Sequence, residues 1–77
     1  MRSPSPRRLR RVYANLEYPL VILRFEDGHE IAVKRGEGRE FDVFAGETVK
    51  VIVLWDPAAG DREVIAVRKG EEFEQAV

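Results

Sequence analysis

Cysteine is absent, histidine and tryptophan occur once each, and only Ser3, Ser5 and Thr48 carry an aliphatic hydroxyl. Without cysteine there is neither a disulfide framework nor a thiolate metal site. The scarcity of nucleophiles and imidazole weighs against catalysis. Ser3 and Ser5 sit in a proline-interrupted N-terminal stretch, and Thr48 opens a strand pattern with no histidine near it in sequence. Paired carboxylates would need a pocket that so short a chain has little room to build. The chain is therefore read as non-enzymatic, without cofactor and without a small-molecule substrate. No apolar run approaches the ~18–20 residues of a membrane span. The basic N-terminus leads into no hydrophobic segment, so the expectation is a cytoplasmic or virion protein, neither secreted nor membrane-bound.

Negative charge is missing from one place in particular. The first eleven residues hold Arg2, Arg7, Arg8, Arg10 and Arg11 and no acidic residue, whereas residues 12–77 hold 8 basic against 14 acidic ones. The overall charge of −1 conceals this segregation of +5 from −6. Guanidinium forks bind carboxylate or phosphate bidentately, so the basic segment suits an acidic protein surface, a second copy's acidic body, or nucleic acid. Arg2, Arg7, Arg8, Arg10 and Arg11 are the expected contacts, with Leu9 as an apolar pin between them. Residues 1–11 are read as an extended arm, since Pro4 and Pro6 hold the preceding serines extended. Residues 12–77 are read as one small β domain. A body of that size buries roughly 60% of its unfolded surface, so association with another surface is the most available source of further burial.

The body follows period two. Val12, Ala14 and Leu16 point one way and Arg11, Tyr13, Asn15 and Glu17 the other, a half-buried strand ended at Pro19; Leu9, Val12 and Leu16 also fit a helix. Leu20 to Phe25 is a strand turning at Glu26-Asp27-Gly28. A two-residue loop would oppose Leu23 to Ala32 and Phe25 to Glu30, mixing faces. A three-residue loop with Gly28 left-handed opposes Leu23 to Ile31 and Val21 to Val33, and is preferred. Arg35 to Arg39 reads as a mobile connection and Phe41 to Val43 as a short strand. Thr48 to Trp55, apolar on both faces, is expected to be central, with Val49, Val51, Val53 and Trp55 on one face. Asp56 to Asp61 is a turn, Arg62 to Arg68 a strand, and the charged end a single helical turn with Phe73 and Val77 on one side. The fold class is all-β, a small antiparallel barrel or sandwich of five or six short strands.

His29 with Glu26, Asp27 and Glu30 has the residue types of a loose oxygen-and-imidazole metal cluster, but the same residues make a solvated turn, and no metal site is expected.

Several segments resemble known families. Phe25-Glu26-Asp27-Gly28-His29-Glu30-Ile31, then Gly38-Arg39, then Ala45-Gly46-Glu47-Thr48-Val49-Lys50-Val51 is similar to the order of motifs in bacterial translation initiation factor one. That resemblance implies an S1-like OB barrel that binds RNA. Leu16 to Gly28 and Val64 to Gly70 resemble Sm-like barrels, and Phe44 to Val51 resembles the lead-in to a strand of Ig-like sandwiches. Ser5-Pro6-Arg7-Arg8 resembles the Ser-Pro-basic-basic repeats of histone tails, which lie along the minor groove. The overall plan resembles small accessory proteins of virus and phage shells, which implies a structural or assembly role in an oligomer. The alternative is a nucleic-acid-binding barrel in which Tyr13, Tyr18 or Phe44 stacks on bases.

Overall fold

The computed structural model describes residues 7–76. It contains seven strands: β1 (Arg8–Asn15), β2 (Leu20–Arg24), β3 (Glu30–Lys34), β4 (Glu37–Phe44), β5 (Thr48–Val53), β6 (Glu63–Lys69) and β7 (Glu74–Gln75), with a 3₁₀ turn, η1, at Gly70–Glu72. They form two antiparallel sheets, β4-β1-β7 and β3-β2-β5-β6. The architecture is an open sandwich, not a closed barrel.

The β2–β3 hairpin has the three-residue loop. Phe25 and His29 close it through Phe25 N to His29 O at 3.0 Å, Gly28 takes φ 93°, and Leu23 faces Ile31 and Val21 faces Val33. The left-handed conformation is the one glycine adopts without a Cβ penalty. β3 and β4 are separated only by Arg35-Gly36, yet they enter different sheets, because β4 pairs along its whole length with β1. The expected mobile connection is thus largely strand: Glu37 to Arg39 belong to β4.

The inward side chains Leu9, Val21, Leu23, Val33, Val43, Val49, Val51 and Val53 fill the space between the sheets. An edge-to-face string of rings completes it, from Phe25 to Phe41 (5.6 Å), Phe41 to Phe73 (5.2 Å) and Phe73 to Tyr13 (6.3 Å). These separations lie in the range where ring quadrupoles attract. Phe73 is delivered there by η1, as the single turn expected near the C-terminus; Val77 lies outside the described residues.

The strand parity of β1 holds, but its buried face is the opposite of the one its apolar residues suggest. Leu9, Arg11, Tyr13 and Asn15 turn inward, while Ala14 and Leu16 are exposed. Asn15 tolerates burial because its amide nitrogen donates to Tyr18 O and Val33 O and its Oδ1 accepts from Tyr18 N. β5 is central, between β2 and β6. It ends at Val53, however, and Trp55 is not in the core: it is 54% exposed. Leu54 N bonds Leu20 O at 3.0 Å, the turn from Asp56 follows at once, and Trp55 is carried past the end of the sheet.

Candidate interaction site

β1 carries the basic residues into the body. Of the segment read as an arm, Arg8 to Arg11 are strand residues paired with Phe44 to Phe41, and Ala45 N bonds Arg7 O at 2.8 Å. Alternation then separates the arginines. Arg10 points outward onto β4, with Nη1 3.1 Å from Asp42 and Nε 3.5 Å from Glu40. The hydrogen bond to Asp42 holds its guanidinium above the usual arginine value. Arg11 points inward and is nine-tenths buried, with an Nε that has no partner among the described residues. Leu9, expected as a partner contact, is 7% exposed and belongs to the core opposite Val43; the inward side of β1 claims it. Arg7 and Arg8 remain exposed, and the Arg8 guanidinium stands 5.7 Å from the centre of the Phe44 ring. Arg2 lies outside the described residues.

Arg8 and Phe44 border a cleft of about 360 Å³ whose other walls include Asp27, His29, Asp42 and Glu47. Its acidic groups are already engaged. The Asp27 carboxylate accepts from the His29 backbone N–H at 3.0 Å and contacts the His29 ring, and these bonds hold it below the ordinary aspartate value. Glu47 accepts from Phe44 N at 3.0 Å and Glu26 N at 3.3 Å. Glu26 accepts from Thr48 N, and Glu30 pairs with Arg24 and Arg62. Each carboxylate around His29 thus serves a different bond, and no described group of three or more such side chains is placed to hold a metal ion.

Tyr13, Tyr18 and Phe44 do not share a face. Tyr13 meets Phe73 at the core, where loss of water raises its hydroxyl pKa. Tyr18 meets Trp55 edge-on at 5.4 Å, and Phe44 lies under Arg8. One feature that the residue pattern did not single out is the exposed apolar centre of β6, where Val64, Ile65 and Val67 are 52%, 36% and 57% exposed. A strand pattern does not say which strand will lie at an edge.

Compared with protein-family models, curated proteins and solved structures, the chain matches none.

Proposed function

We propose that the chain is a non-enzymatic assembly module whose N-terminal arginines dock onto an acidic protein surface. The observation that carries this reading is the exposure of Arg7 and Arg8 at the start of β1, continuous with the basic N-terminal residues, in a chain whose remainder is acidic. Arg10 engages its own body through Asp42 and Glu40, which identifies the chemistry an arginine here finds attractive: paired carboxylates on a β surface. Arg8 over Phe44 adds a platform on which a carboxylate-bearing partner would meet a guanidinium already oriented by a ring. The accessory-protein and virion role belongs to the same proposal. Nucleic-acid binding is the weaker reading, because its three candidate stacking rings are dispersed.

Titration calorimetry of the full chain against poly-glutamate and against a DNA duplex tests this. Binding to poly-glutamate, weakened when Arg7 and Arg8 become serine, supports the proposal. DNA binding alone, with log K falling linearly against log salt at about −0.9 per phosphate contact, would replace it with the nucleic-acid reading.

A further inference from the structure

β6 is built unlike the other sheet edges. Its centre, Val64-Ile65-Ala66-Val67, carries no charge, whereas the β4 edge carries Glu37, Arg39, Glu40 and Asp42 and β3 is bounded by Glu30 and Lys34. Charges along an edge discourage pairing with another chain, and their absence invites it. Among the described residues no strand pairs with the free side of β6.

A bulge makes the edge more apolar than simple alternation would. Ile52 faces Val64 and Val51 faces Ala66, leaving Ile65 as the extra residue of β6. The reset of parity puts Val64, opposite Ile52, and Val67, opposite Lys50, on the same outer face. There Val64 ends an apolar row, Ala32, Ile22, Ile52 and Val64, that crosses all four strands.

The order of charges selects the occupant. Glu63 opens β6, and Arg68 and Lys69 close it. In an antiparallel pair of two β6 strands with Ala66 on the two-fold axis and Ile65 the extra residue of the bulge, Val64 meets Val67 of the second copy on the outer face. Glu63 then meets Arg68 of the second copy on the other face, acid against base. A parallel in-register pair would set Glu63 on Glu63 and Arg68 on Arg68, which is repulsive. We propose that β6 is a self-pairing strand that joins the four-stranded sheets of two copies into one continuous sheet. The contact is isologous, so it closes as a dimer and leaves no β6 edge to propagate a fibre. It uses none of the N-terminal arginines and stands apart from the docking function proposed for them.

Sedimentation and light scattering of the full chain test the pairing, with circular dichroism confirming the fold of each variant. The wild type is expected at twice the 8.8 kDa chain mass and Val67→Lys at the single mass. Glu63→Arg and Arg68→Glu should each weaken dimerisation on the order of tenfold, and the two together should restore it, because the exchange recreates opposite charges. A wild type that stays monomeric up to about 1 mM, a folded Val67→Lys variant that still dimerises, or a double exchange that recovers nothing would overturn the proposal. So would a dimer lost in Arg7→Ser/Arg8→Ser but kept in Val67→Lys, which would assign self-association to the arginines.

Discussion

The side-chain amide of Asn15, the last residue of β1, donates to the Val33 carbonyl of β3 at 2.9 Å and so fastens one sheet to the other. The same amide donates to Tyr18 O at 3.0 Å, and the Asn15 Oδ1 accepts from Tyr18 N at 3.0 Å. With 1% of its surface exposed, the group has its polar atoms paired where water does not reach. Asn15→Ala should therefore destabilise the fold by about 1–3 kcal/mol, the cost of leaving such buried groups without partners. Asn15→Asp should be worse at neutral pH, since it would turn a carboxylate toward two carbonyl oxygens. Chemical denaturation of both variants checks this; an Asp variant as stable as the parent would mean the clamp does not hold the sheets.

Two glycines should respond oppositely to alanine. A Cβ on Gly70 would stand 2.6 Å from Phe44 O and 2.9 Å from a Val43 methyl, and the backbone oxygen has no freedom to move away. Gly70 N is also bonded to Glu47 O at 2.8 Å, which pins η1 against the turn between β4 and β5. Gly70→Ala should cost about 1–3 kcal/mol through overpacking. Gly38, in β4, has only Tyr13 O near its missing Cβ, at 4.0 Å. Gly38→Ala should be neutral or stabilising by up to about 1 kcal/mol, because glycine within a strand gives up more chain entropy than alanine. Paired thermal melts decide both.

Local rules made some of this molecule legible in its sequence. Apolar alternation on both sides of Glu26-Asp27-Gly28 determined the hairpin register, since only one loop length keeps Leu23 with Ile31. The central position of β5 followed from its two apolar faces. Leu9 and Trp55 depart from their sequence pattern for opposite reasons. The flanking arginines suggest an outward Leu9, but β1 begins early enough to bury it. Trp55 continues the period-two pattern of β5, but the strand stops at Val53, and a pattern carries no information about where hydrogen bonding stops. The exposure of β6 was hidden for a related reason: sheet order is a tertiary property, and the bulge at Ile65 breaks the alternation from which a face would be inferred.

Trp55 should thus be a mild rather than a severe site. It touches Tyr18 edge-on and donates Nε1–H to Glu63 at 2.6 Å, while about half its surface meets solvent. Trp55→Ala is expected to cost about 0.5–1.5 kcal/mol, the scale of an exposed aromatic pair, rather than the ~3–5 kcal/mol of a core aromatic. Its fluorescence, the only indole signal in the chain, should be quenched readily by iodide in the native state. A blue-shifted, unquenched emission would put the ring under cover.

Acid should weaken the fold through identifiable carboxylates. Glu71 accepts from Gly46 N at 2.9 Å, and hydrogen bonds from its own backbone N–H and that of Gly46 keep it below the ordinary glutamate value. Asp27 is lowered by the His29 backbone and ring. A carboxyl whose folded pKa is depressed stabilises above its unfolded value, and that contribution is lost as pH falls through the folded value. Melting temperature should therefore hold from neutrality down to about pH 4.5 and fall below it. Glu71→Gln combined with Asp27→Asn should make that fall shallower. An unchanged acid limb in the double variant would remove these two groups from the account.

The arginines of β1 should separate binding from stability according to strand parity. Arg7 and Arg8 are exposed, so their change to serine should alter stability by no more than about 0.5–1 kcal/mol, including the Arg8–Phe44 contact, while weakening capture of an acidic polypeptide. Arg10→Ser removes only solvent-exposed ion pairs, which water and salt screen, and should leave stability nearly unchanged. Arg11 is different: its stem fills inward space on β1 and little of it reaches water. Arg11→Ser would leave that space empty and should destabilise more than the other three. Arg11→Met, which keeps the stem and removes a charge whose Nε has no partner among the described residues, should be tolerated or stabilising. Melts of the five variants rank them. If Arg11→Ser were as stable as Arg8→Ser, the inward face assigned to β1 would be wrong.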